Sequence, residues 1–115
     1  SGTGAFSESE TSMLRDTAKQ LQPTIFLTIH SGCLGMWSPY SYEAVTPSGG
    51  GEQVVLDVLS KLNSQYCNCN VGSAGGGLNA ILSGTAAGTC LDYMWDAVHT
   101  PYAMAFEIYS DRYVN

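Results

Sequence analysis

Apolar positions change their spacing from segment to segment along this chain, and each spacing predicts a different element. Residues 1–6 have no periodicity and read as a loop. Met13, Leu14, Ala18 and Leu21 then recur at helical intervals. They follow S-E-S-E from Ser7, with Glu10 three places on, the pattern of a capping box. A helix is expected over residues 8–20, closed by Pro23. Thr24 to Ile29 (T-I-F-L-T-I) is β-branched and apolar without alternation, which suits a strand buried on both faces. His30 stands where that strand ends.

Residues 31–50 are rich in Gly, Ser, Pro and aromatics and read as a loop, unusually long for a compact domain unless it is functional. Gly51 to Asn63 predicts a second helix with Val55, Val58, Leu59 and Leu62 on one face. Residues 64–89 look irregular, with a flexible point at Gly75-Gly76-Gly77 and a short strand over 78–82. Asp92 to Val98 suits a short helix stopped by Pro101. Tyr102 to Tyr109 (Y-A-M-A-F-E-I-Y) reads as another interior strand, interrupted by Glu107. No internal repeat and no linker between domains is visible.

Composition narrows the function classes. With ten acidic and four basic residues among 115, the formal net charge is −6, which disfavours nucleic acid as a partner. Charged residues make up 12% and hydrophobic ones 44%, enough for a core and against charge-driven disorder. No apolar run reaches the length of a membrane span, and no charged stretch followed by an apolar one opens the chain, so a signal peptide is expected to be absent or already removed. The first residue is Ser1 rather than Met, so an internal piece of a longer protein is expected. Cys33, Cys67, Cys69 and Cys90 are even in number, and with the low charge they point to a secreted, oxidised protein. Cys67 and Cys69 (C-N-C) are expected to pair poorly with each other; bridges to Cys33 or Cys90, free buried thiols, or a metal remain open.

Two residues ask for chemistry. Glu107 lies between Phe106 and Ile108 in an otherwise apolar strand. It is either an edge-strand carboxylate facing water or one held in a cleft as a general base. His30 follows a buried strand, at the end where ligand sites collect in open α/β sheets. It is a hydrogen-bonded histidine or a metal ligand, and a catalytic zinc site needs three protein ligands. Trp37, Tyr40, Tyr42, Tyr93 and Trp95 either pack the interior or line a pocket.

Four blocks in order change those odds. T-I-H-S-G-C-L-G-M-W-S-P-Y-S-Y at 28–42 resembles the stretch in zinc metallocarboxypeptidases of the carboxypeptidase A/B type where a buried strand ends in His-Ser and leads to Pro-Tyr-Gly-Tyr. G-A-F-S-E-S-E-T at 4–11 is similar to that family's F-S-E-P-E-T helix start. A-A-G-T-C-L-D-Y at 86–93 resembles its small-Gly-x-Ser-x-Asp-Trp segment, and P-Y-A-M-A-F-E-I-Y at 101–109 its Tyr-(apolar)-Phe-Glu-Leu strand.

The resemblance implies an α/β fold, a mixed twisted sheet flanked by helices, with residues 1–115 as the C-terminal portion of one carboxypeptidase-like catalytic domain. It implies hydrolysis of the C-terminal peptide bond of peptides or proteins, with His30 as a zinc ligand and Glu107 as the catalytic glutamate. The ligand set of two histidines and a glutamate is that of the carboxypeptidase A site. Leu91 matches the floor of the specificity pocket, implying an apolar C-terminal residue; Ser31, Gly32 and Asp92 match positions beside the substrate. The family's His-x-x-Glu motif and its substrate-binding arginines are expected upstream, in the missing N-terminal half of the domain, and Arg15 matches neither arginine. This chain alone is therefore expected to be inactive. Gly32 and Cys90 stand where the family has tyrosine and serine, and no tyrosine falls at 83–85, where its mobile loop should carry one. The alternative is a carboxypeptidase-like domain with a structural or interaction role.

Overall fold

The computed structural model describes residues 2–45, 49–78, 81, 84 and 86–109. Helix α1 (Ser9–Leu21) buries Ala18 and lays Leu14 against the core. The capping box does not form. Glu8 is the N-cap without a side-chain cap hydrogen bond, and the Ser7 hydroxyl donates to Glu8 Oε1 at 2.8 Å. The helix ends where Gln22 turns left-handed (φ 47°, ψ 61°) and its N–H returns to the Ala18 carbonyl, just before Pro23.

Among the described residues four strands form one mixed sheet: β1 (Ile25–His30), β2 (Leu34–Ser38), β3 (Asn70–Ser73) and β4 (Tyr102–Ile108), in the order β1-β4-β2-β3. Strand β4 is central, parallel to β1 and antiparallel to β2; β3 runs parallel to β2. Two elements depart from the sequence expectation. Residues 31–50 contain β2, and β3 lies in a stretch expected to be irregular, because N-V-G-S carries a single apolar side chain. A π-helical turn (Ala74–Leu78) follows β3. The strand expected over 78–82 falls mostly outside the described residues, and Leu78 ends that turn.

Side-chain alternation divides the sheet into two faces. Phe26 and Thr28 share one face with Ala103, Ala105 and Trp37. There they meet α1 and helix α3 (Cys90–Asp96) through Ala18, Leu91 and Met94, with Val98 just beyond α3. Trp37 is 1% exposed. Gly35 and Gly77 lie so close to its indole that a Cβ at either would collide with it. On the opposite face helix α2 (Gly51–Leu62) packs Val55 and Leu59 against Met36 and Met104. That is the apolar stripe its sequence announced, but the first turn also buries Glu52.

Strand β1 is not buried on both faces. It is the sheet edge, and Ile25, Leu27 and Ile29 are 63%, 42% and 58% exposed. The unalternating apolar run is real, but α2 packs over β3, β2 and β4 and leaves that face of β1 open. The cysteine expectation is also corrected. Cys67 and Cys69 form a disulfide, while Cys33 is free and buried and Cys90 free and exposed. The geometry follows from Asn68, which is left-handed (φ 52°, ψ 49°) at the end of the π-helical extension of α2 (Asn63–Cys67). Its turn brings the two Cα atoms to 5.2 Å, within ordinary disulfide range.

Candidate functional site

Backbone register sets the site. The parallel ladder between β1 and β4 pairs His30 with Glu107, so both side chains leave the sheet on the same face at the C-terminal ends of neighbouring strands. On the other flank of β4, Glu107 pairs with Gly35, which offers no side chain to cover it. Below lie Thr28 and Ala105, small enough to leave a cavity of about 310 Å³. Its lining includes Thr28, His30, Ser41, Cys90, Leu91 and Glu107.

Glu107 occupies a central strand and is 8% exposed, so it is not a water-facing edge carboxylate. Its Oε2 is buried without a hydrogen-bond partner among the described residues. An unpartnered buried oxygen of this kind is costly and calls for a functional or ligand-based explanation. Its charge is felt by Cys33, whose thiol is pushed up chiefly by burial and secondarily by the Glu107 carboxylate. Gly32 approaches the same oxygen: a Cβ there would lie 3.7 Å from Oε2. Its φ of +151° is one that side chains rarely adopt, so glycine suits the position.

His30 is exposed, and Thr28 Oγ1 lies 2.8 Å from its Nε2. The hydroxyl holds the ring and leaves Nδ1 for an outside partner. Leu91 is 2% exposed and contributes an apolar wall. It is placed by the first turn of α3, where Thr89 caps the helix by accepting from the Asp92 N–H at 3.3 Å.

The structure thus brings His30, Glu107 and Leu91 to one cavity, with the backbone of Gly32 beside it. Ser31 and Asp92 do not line that cavity. Asp92 turns to Ser41, accepting from its N–H at 2.9 Å and its hydroxyl at 2.7 Å. Sequence reasoning missed Thr28 and Ser41. Thr28 was legible as the same-face neighbour two residues before His30; Ser41 was not, because it reaches Asp92 across 51 positions. Of the aromatic set, Trp37 is core, Tyr40 and Trp95 line a shallow cavity near His99, and Tyr42 and Tyr93 line a larger groove. Ser83 and Thr85, where a mobile-loop tyrosine was sought, lie outside the described residues.

No protein-family model matches this chain, and no curated protein matches it in sequence. Its fold does match solved structures. One is bovine thrombin-activatable fibrinolysis inhibitor in complex with tick carboxypeptidase inhibitor, with a TM-score of 0.63 and 18% identity, covering 92% of this chain and 36% of that one. Another is thrombin activatable fibrinolysis inhibitor (TAFI), with a TM-score of 0.66 and 20% identity, covering 92% of this chain and 26% of that one. The chain therefore spans about a third or less of these similar proteins. The mixed sheet and its flanking helices are carboxypeptidase-like, which is the fold the four sequence blocks implied.

Proposed function

We propose that this chain forms one side of a carboxypeptidase active centre, hydrolysing the C-terminal peptide bond of peptides or proteins with a zinc ion held partly by His30. One observation carries the reading. Glu107 holds a buried, unpartnered carboxylate oxygen in a cavity, on the strand next to His30 and in register with it. A structural carboxylate in a central strand would be expected to have its hydrogen bonds satisfied.

Among the described residues no group of three or more His, Cys, Asp or Glu side chains is placed to hold a metal ion. His30 fits as one nitrogen donor: in the tautomer whose Nε2–H donates to Thr28 Oγ1, the Nδ1 lone pair is left for a metal. The remaining donors would come from other parts of the domain, whose strands would also cover the open edge of β1. When bound, zinc would polarise the scissile carbonyl. Glu107 takes the proton of the attacking water and delivers it to the leaving amine. The Leu91 wall favours an apolar C-terminal side chain. The Cys67–Cys69 disulfide supports an oxidising, secreted setting.

The test is zinc content together with cleavage of an apolar-ended peptide by the complete protein. Glu107→Gln should lower the rate by roughly two to four orders of magnitude, with zinc content unchanged. Equal rates in the two proteins would remove Glu107 from the chemistry and leave an interaction role for the fold.

A further inference from the structure

A second concavity borders the candidate cavity at Thr89 and Cys90 and runs between the N-terminal loop and α3, with a volume of about 510 Å³. The rings of Phe6, Tyr42 and Tyr93 line it, together with the carboxylates of Asp92 and Asp96. The two acids stand four residues apart on α3 and so share one helix face, a like-charge spacing that destabilises a helix unless a cation intervenes. Asp92 is 8% exposed and both its oxygens accept from Ser41, so it offers the groove its charge rather than a free acceptor. Among the described residues the ion pair is Arg15–Asp16, so neither groove aspartate has a cationic partner there.

The walls are suited to a positive charge as well. Phe6 and Tyr93 meet edge to face, with centroids 4.8 Å apart, and the Phe6 ring already carries the Arg15 guanidinium 5.4 Å from its centroid. Aromatic faces attract cations and also pack the methylene stem of a long basic side chain. The negative field is visible in the neighbouring phenols. Tyr40 is pushed up to about 12, mainly because its hydroxyl donates to Asp96. Tyr42 is raised too, first by Glu43 and then with contributions from Asp96 and Asp92. The apolar walls disfavour a strongly hydrated metal ion, and the acidic charge disfavours nucleic acid.

We propose that this groove binds a lysine or arginine side chain of a peptide, its charge between Asp96 and Asp92 and its stem against Phe6, Tyr42 and Tyr93. The test titrates Nα-acetyl-lysine methylamide, its arginine counterpart and its neutral norleucine counterpart into the isotope-labelled full-length protein, followed by amide NMR shifts at Tyr42, Tyr93 and Ala97. The two basic compounds should saturate at concentrations at least about tenfold below norleucine. Asp96→Asn keeps the acceptor for Tyr40 while removing the charge, and should weaken lysine binding on the order of tenfold. Tyr42→Leu, at an exposed ring, should weaken it as well. The proposal is overturned if norleucine binds as tightly as lysine, if neither basic compound shifts these amides, or if a folded Asp96→Asn binds as well as the native protein. The norleucine comparison on the native protein decides the matter even where a variant fails to fold.

Discussion

Glu52 shows how much a single carboxylate can weigh on this fold. It sits in the first turn of α2, 5% exposed, and accepts a hydrogen bond from the buried Ser38 hydroxyl at 3.0 Å. Burial pushes its carboxyl above the ordinary carboxylate range, more strongly than the Ser38 hydrogen bond pulls it down. The folded state therefore holds this proton more tightly than the unfolded state does. The stability linked to it is present below the unfolded value and is lost as pH rises through the raised folded one. Glu52→Gln keeps the acceptor for Ser38 and removes the charge. At about pH 7 it should raise the thermal midpoint by a few degrees, and near pH 4 the two proteins should converge. A lower midpoint for the variant at neutral pH would contradict this account. The sequence marked Glu107 and His30 because one broke an apolar strand and the other ended one. It gave no sign of Glu52, whose partner Ser38 is 14 positions away, or of the Tyr40–Asp96 contact across 56 positions.

Elements were legible in proportion to the local signal they carry. Helix α2 was readable because Val55 and Leu59 repeat at one turn and both are fully buried. Leu59→Ala leaves a void between α2 and the sheet and should cost about 2–5 kcal/mol in urea denaturation. A loss below about 1 kcal/mol would mean that α2 is held by something other than that stripe. Strand β3 gave too little pattern to be found, since the ladder to β2 rather than side-chain burial places it. The disulfide between Cys67 and Cys69 depends on the left-handed turn at Asn68, a backbone conformation that the residues C-N-C do not announce. Strand β1 was recognised in type but misplaced in the sheet, because an apolar run reports what a strand can bury and not what covers it.

At the scale of the molecule, the open edge of β1 and its three exposed apolar side chains are the feature least at ease in water. Such an edge templates further strand pairing, and a charge on it is the usual protection. Leu27→Lys should therefore lower light scattering by the 115-residue chain in solution while leaving its circular dichroism spectrum unchanged. Scattering that stays the same would place self-association on another surface. The shared ladder of β1 and β4 has a different bearing on the proposed chemistry. Imidazole and carboxylate hang from the two ends of one rung, so their spacing belongs to the hydrogen-bonded frame and owes nothing to the loops beyond it. Relatives are free to vary in length after residue 30 without disturbing the pair. One residue gained or lost inside β1 would turn His30 to the reverse side of the sheet and separate the two groups by its whole thickness.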